Sequence, residues 1–201
     1  MTMTTDRPAA GNFAAARRAM IDSQLRTSGV NEPWVLSAMM AVPREQFVPE
    51  AARAAAYIDR AISLDGGKQL AAPLVHGQML AAAEPVAADR VLLVGDGQGY
   101  LAALLRQLAG QVDSITPAQL AAGKAAGVYS LVVIDGAIGQ IPATLASLVD
   151  EDGRIVTGLA ERGVTRLAMG RVAGGQVVLT PLADIGMPIV AELAAPKQWQ
   201  F

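Results

Sequence analysis

The chain has 201 residues, with 16 basic and 18 acidic side chains, one histidine and no cysteine. That length suits one domain with a real core, and a net charge of −2 supplies no footprint for nucleic acid or for an anionic membrane surface. Without cysteine there is no disulfide framework, thiolate metal site or Cys nucleophile, and His76 as the lone histidine excludes a multi-histidine metal centre within one chain.

Taken in order, the first residues, MTMTTDRPAAGNF, lack a basic segment followed by an apolar one, so a cytoplasmic protein without a secretory signal is expected. Met20, Ile21, Gln24 and Leu25 share a helical face that should end near Gly29, a good residue to follow a helix. Asn31 is placed to cap the next helix, with Pro33 in its first turn and Val35, Leu36, Met39 and Met40 on its buried side. Pro43 and Pro49 punctuate the chain beyond that helix. The most apolar stretch, residues 69–83, is broken by Pro73, His76 and Gly77 and is too short to span a bilayer.

From residue 90 the texture changes to strands alternating with helices. Strands are expected at residues 91–94, 112–115, 131–134 and 154–159, and helices at 100–108, from Pro117 onward, and at 142–148. Thr116, Pro117 and Gln119 form a helix start in which threonine caps and glutamine bonds back. Residues 166–172 and 176–182, separated by Gly174-Gly175, read as an antiparallel hairpin. Buried strands alternating with helices predict an α/β fold with a mainly parallel sheet covered on both faces.

Between the first of those strands and its helix lies Gly95-Asp96-Gly97-Gln98-Gly99-Tyr100. Glycines there let a backbone approach a ligand, and a helix N-terminus offers free N–H groups and partial positive charge. The dinucleotide fingerprint needs its third glycine where Tyr100 stands, and no Gly-Lys-Ser/Thr follows for a P-loop. The Gly-x-Gly-x-Gly spacing resembles the nucleoside loop of class I methyltransferases. Turning the chain and packing helix on strand would use the same glycines.

Three further stretches carry a more specific likeness: Met20-Ile-Asp-Ser-Gln-Leu-Arg-Thr-Ser-Gly-Val30, Val42-Pro-Arg-Glu-Gln-Phe-Val-Pro49, and Ala56-Tyr57-Ile-Asp59. With the glycine loop they resemble the protein-L-isoaspartate O-methyltransferase family, a likeness that covers nearly the whole chain. It implies a Rossmann-like methyltransferase core at residues 90–201 behind an N-terminal helical segment, residues 1–89. It also implies S-adenosylmethionine as cofactor and methyl transfer to the carboxylate of isoaspartyl residues in a protein or peptide. Carried over by position, the cofactor residues are Gly95, Asp96, Gly97, Gly99, Thr116 and Asp135, and the substrate side comprises Leu70, Ala71, Pro73 and His76. In-line displacement at a sulfonium methyl asks the protein mainly to position and to exclude water.

Four departures bear on function. Ala71 stands where the family has a serine that helps place the substrate, leaving no catalytic side chain there. Leu93 stands where the family has an acid two residues before the loop. Thr116 stands where an acid accepts the ribose hydroxyls, and Asp113 is three residues too early to replace it. Only residues 117–128 separate the second strand from the third, enough for one short helix, so an edge strand, a helix and one wall of the adenine pocket should be missing. Each lost charge-assisted hydrogen bond costs about 1.5–3 kcal/mol, so two predict binding weaker by roughly two to four orders of magnitude.

Two functions are open: a carboxyl methyltransferase with an eroded site, or a non-catalytic relative kept as a binding or assembly module. A pocket turned to a smaller ligand is a third. The edge left by the deletion suggests a homodimer contact. His76 is a candidate ligand contact or base with no partner evident in sequence. Asp135 either carries function at a strand end or caps a turn with Gly136. Asp96 either caps the helix after the loop or repels a cofactor carboxylate. Arg44 and Glu45 should pair with each other or with the N-terminal helix, Trp34 should be core, and Trp199 and Phe201 should dock in a groove of this chain or a neighbour.

Overall fold

The computed structural model describes residues 10–196; Trp199 and Phe201 lie outside the described residues. Helix α1, Ala10–Met20, runs on through a wide turn at Ile21–Leu25 and a tight one at Arg26–Ser28. Gly29, at φ 91°, stops it in the left-handed region that glycine enters without strain. Helix α2 spans Pro33–Ala41 and buries Val35, Leu36, Ala38 and Met39, with Met40 and Trp34 partly covered. Its cap position is Glu32, not Asn31 as the sequence suggested. Proline, with its fixed φ and missing N–H, makes residue 33 the first helical position, and the Asn31 N–H instead donates to the Glu32 carboxylate (3.0 Å).

Two short strands, β1 (Ile62–Ser63) and β2 (Gln69–Leu70), pair antiparallel ahead of helix α3, Pro73–Ala83. Helix α3 is buried nearly all round, because the N-terminal segment packs on one side and the main sheet on the other. That sheet contains β3 (Arg90–Val94), β4 (Gln111–Ile115), β5 (Tyr129–Ile138), β6 (Val149–Glu161), β7 (Val164–Ala173) and β8 (Gln176–Asp184), in the order β4-β3-β5-β6-β7-β8. The first four are mutually parallel and the last three antiparallel. Period-two alternation sends Val91, Leu93, Leu131 and Val133 to one core and Leu92, Val94, Val132 and Ile134 to the other. Helices α4 (Tyr100–Leu108) and α5 (Pro117–Ala121) follow β3 and β4. The β6–β7 turn has Arg162 at φ 50° and Gly163 at φ 83°, and the β7–β8 turn has Gly174 at φ 58° and Gly175 at φ 76°. Paired positive φ angles of this kind match strand twist in two-residue hairpins.

Among the described strands β4 pairs with β3 alone, so the sheet ends where the sequence placed a missing edge unit. Two expectations need correction. The helix at 142–148 shrinks to a single tight turn, Leu145–Leu148, whose neighbouring backbone bonds, Leu145 N–H to Pro142 O (3.0 Å) and Ser147 N–H to Thr144 O (3.2 Å), span three residues instead of four. Asp135 and Gly136 make no turn, because β5 runs on to Ile138. The 185–190 segment extends the ladder there: Ala137 N–H donates to Pro188 O (2.8 Å) and Val190 N–H to Ala137 O (2.9 Å). Gly136 sits at φ 137°, where a Cβ would lie 2.8 Å from Pro188 O, and the pairing with β6 slips between Val133 and Ala137.

At the opposite, amino end of the sheet, Arg154 donates to Asp89 (2.7 Å) and to the Ala83 and Glu84 carbonyls, tying β6 to the end of α3. Asp89 also accepts from Ser130 (2.6 Å) and the Val86 N–H (2.8 Å). Against the cost of burial, the hydrogen bonds from Arg154 and Ser130 hold its carboxyl below the usual aspartate value. A carboxyl depressed on folding stabilises at pH above its unfolded value and loses that contribution as pH falls through its folded one. Asp89→Asn is therefore expected to cost about 2 kcal/mol in urea unfolding at pH 7, with the gap to the parent closing as pH falls through the depressed carboxyl value of the folded state. A gap independent of pH would assign the loss to packing.

Candidate active site

The chain goes from β3 outward to β4 and then back past β3 to β5, so the direction of winding reverses between β3 and β5. In open α/β sheets ligands lodge outside the carboxyl ends of the strands at such a reversal. Here that place is formed by Gly95, at the end of β3, and Asp135, on β5. They are close: a Cβ on Gly95 would lie 3.0 Å from the Asp135 Cβ, 3.8 Å from its Oδ2 and 3.7 Å from Leu93 Cδ1.

The loop itself is tightly built. The Gly95 N–H donates to Ile115 O (2.9 Å), and Arg106 donates to Gly97 O (2.7 Å). A Cβ on Gly97 would lie 2.2 Å from Ser114 Oγ, so this glycine is required by contact with the neighbouring strand. A Cβ on Gly99 would meet Asp96 at 3.1 Å. Asp96 does not cap α4: its Oδ1 accepts from the Gln98 N–H (2.9 Å), closing a turn inside the loop. Helix α4 starts at Gly99 with no side-chain cap, so its first N–H groups remain available to a ligand. Thr116 completes the expected capping box: its Oγ1 accepts from the Gln119 N–H (3.2 Å), and its own N–H donates to Gln119 Oε1 (2.8 Å).

Behind Asp135 lies a buried relay. His76 and Arg44 are both 0% exposed. Arg44 donates through Nε to Ala56 O (2.8 Å), through Nη2 to Ala71 O and through Nη1 to His76 Nδ1 (3.3 Å). Guanidinium only donates, so Nδ1 accepts; the imidazole proton is then on Nε2 and is donated to Asp135 Oδ1 (3.3 Å). His76 therefore does have an acidic partner, 59 residues away in sequence. Burial pulls the Arg44 guanidinium down to about 10, against the nearby negative groups, so it stays charged at neutral pH. Its plane covers the Tyr100 ring, 5.0 Å from the centroid, and Phe47 meets that ring edge-on at 5.6 Å. The Tyr100 hydroxyl is buried without a partner, and burial raises its pKa.

Arg44 and Glu45 do not pair with each other. Glu45 accepts from Arg17 of α1 (3.1 Å) and from the Tyr57 hydroxyl, which receives a bond from Arg17 Nε (2.8 Å). Leu70, Ala71, Pro73 and His76 are all buried beneath this N-terminal segment. Asp113 pairs with Arg90 (3.4 Å), away from the loop. Composition and motif reading missed the part played by Arg44 and Tyr100; the one available sign was an arginine in an otherwise apolar Val-Pro-Arg-Glu-Gln-Phe run.

The family model described as Protein-L-isoaspartate(D-aspartate) O-methyltransferase (PCMT) matches residues 15–119. Protein-L-isoaspartate O-methyltransferase 1 of Rhodopseudomonas palustris is 30% identical over 91% of this chain and 86% of its own length. That alignment has 211 positions, more than this chain has residues, so the relative holds stretches with no counterpart here. The Koribacter versatilis protein-L-isoaspartate O-methyltransferase is 33% identical over 86% of this chain and 89% of its own. Among solved structures, a protein-L-isoaspartate O-methyltransferase from Plasmodium falciparum in complex with S-adenosyl-L-homocysteine shares the fold, with a TM-score of 0.69 at 16% identity over 88% of this chain and 98% of that one. No described helix is long and apolar enough to cross a membrane. With sequence relatives spanning most of its length and a shared fold, the chain belongs to the protein-L-isoaspartate O-methyltransferase family.

Proposed function

We propose that this protein binds S-adenosylmethionine at the crevice between Gly95 and Asp135, weakly, and that isoaspartyl carboxyl methylation is correspondingly slow. The observation that carries this reading is Thr116. At the carboxyl end of β4 its hydroxyl is closed into a capping box, and no carboxylate stands there to accept a pair of ribose hydroxyls. The residues present fit one end of the cofactor. Uncapped N–H groups of α4 suit its carboxylate and Asp135 its positive charge, while the ribose lacks an acidic acceptor.

When bound, the cofactor supplies an electrophilic methyl group, and an incoming carboxylate needs no base. The protein's task is placement and exclusion of water. Gly95 and Gly99 leave the loop backbone bare, Phe47 and Tyr100 close the N-terminal side with apolar surface, and Arg44 fixes the segment carrying Ala71. Ala71 offers no side-chain hydrogen bond to a substrate.

Calorimetric titration with S-adenosylmethionine is expected to give a Kd on the order of a millimolar. Thr116→Asp keeps an N-cap and adds a carboxylate, so it should tighten binding by about tenfold or more. Low-micromolar binding by the parent, with brisk methylation of an isoaspartyl peptide, would overturn the reading.

The outer edge of β4, unpaired among the described residues, supports a second function, a fold retained as an assembly module that pairs with another copy through that edge. Sedimentation shows whether such a dimer exists; a strict monomer removes this alternative.

A further inference from the structure

The geometry points to Asp135 as the group that selects the ligand: its free carboxylate oxygen takes a cationic centre, ammonium or sulfonium, of a nucleoside bound over Gly95, and His76 and Arg44 are the residues that position it. The inference deepens the proposed function and rests on its choice of crevice.

Three observations converge. Asp135 stands on a central strand, beside the carboxyl end of β3 where the winding reverses, the place a ligand occupies in such sheets. Its side chain is 22% exposed; Oδ1 is engaged by His76, while Oδ2 has no partner among the described residues and lies toward Gly95. The His76–Arg44 relay behind it is fully buried, so the carboxylate is held from within and presented outward. The Arg44 guanidinium itself lies behind the crevice, and its charge acts on Asp135 only from a distance. Its three nitrogens are directed to Ala56 O, Ala71 O and His76 Nδ1, and the imidazole lies between it and Asp135. The crevice therefore offers the negative charge of Asp135 beside the backbone of Gly95, with the side chain of Leu93 buried beneath that glycine. An anionic centre would be repelled there, a neutral thioether would gain no charge interaction, and an organic cation would be attracted.

Three probes separate the sources of charge. S-adenosylmethionine carries ammonium and sulfonium, S-adenosylhomocysteine ammonium alone, and 5′-methylthioadenosine neither. Dissociation constants follow from NMR shift titrations, which tolerate weak binding. Asp135→Asn is expected to weaken S-adenosylmethionine by about tenfold and to leave methylthioadenosine within about twofold. If S-adenosylhomocysteine binding falls equally, the ammonium is the partner; if it is spared, the sulfonium is. Equal loss for all three probes, or no loss for S-adenosylmethionine, overturns the inference. So does a parent protein that binds methylthioadenosine as tightly as S-adenosylmethionine, a comparison that needs no variant.

Positioning has its own readout. As the one histidine, His76 gives a single imidazole pattern in long-range nitrogen–proton spectra, expected to show the proton on Nε2 and a bare Nδ1. His76→Gln can accept from Arg44 and donate to Asp135, so it should keep the preference for cationic probes; His76→Phe should lose most of it. These ratios do not depend on absolute affinity. Strong binding with the Asp135 effect intact would defeat the weak-site reading and leave this one standing.

Discussion

Arg44→Met is expected to lower the unfolding free energy by about 3–5 kcal/mol, among the largest effects of any single substitution in this chain. Methionine fills much of the volume, so the loss is electrostatic and polar. Ala56 O and Ala71 O lose their donor, His76 Nδ1 faces a thioether, and Asp135 loses its distant counter-charge. The Tyr100 ring also loses the cation stacked on it. Urea unfolding measures the change, and a loss under 1 kcal/mol would show that the relay does not hold the N-terminal segment. Replacing Arg44, His76 and Asp135 together by apolar residues of similar volume should recover most of the loss, because a removed pair costs far less than an orphaned partner.

Leu93→Glu, the direct way to place an acid before the loop, is expected to abolish cooperative folding, at a cost of about 5 kcal/mol. Leu93 is 0% exposed and packs with Val91, Leu131 and Val133, and its Cδ1 lies under Gly95 a short distance from where Asp135 presents its carboxylate. A glutamate there would be buried without a donor and beside a like charge. Leu93→Met, which keeps volume, should cost less than about 1.5 kcal/mol. Comparable solubility and melting behaviour for the glutamate and methionine variants would mean that the strand end is open to water. Thr116, exposed and at a cap, is the position where an acid can be added without such a cost.

The features legible in the sequence are those whose physics is local. The capping box needs only Thr116 and Gln119 three residues apart, and the hairpin needs only Gly174-Gly175 between alternating runs. Buried strands around residues 91–94 and 131–134 are marked by continuous apolar side chains; the structure adds Arg90 to the first and extends the second to Tyr129–Ile138. Even the shortened edge followed from counting residues between two strands. Contacts across the fold were not legible. His76 meets Arg44 across 32 residues and Asp135 across 59, and no periodicity records such meetings. Residues 142–148 have a helical pattern, yet they close only one tight turn, beside a loop whose Gly139 and Gln140 N–H groups go to Leu193 O, more than fifty residues away in sequence. Asp135-Gly136 looked like a turn because a glycine with positive φ serves equally in a turn and in a strand that must let Pro188 approach.

Synthesis from the N-terminus meets this strand order awkwardly. β3 is made first of the six yet sits inside the sheet, waiting for β4 on one flank and β5 on the other. Arg44 is made earlier still and must remain in water until Ala71, His76 and finally Asp135 have emerged. The β6–β7–β8 meander comes last and closes through two-residue turns without any crossover. A nascent polypeptide paused short of Asp135 shows Leu92 and Val94 uncovered and a guanidinium without its counter-charge, the kind of surface that holding chaperones bind.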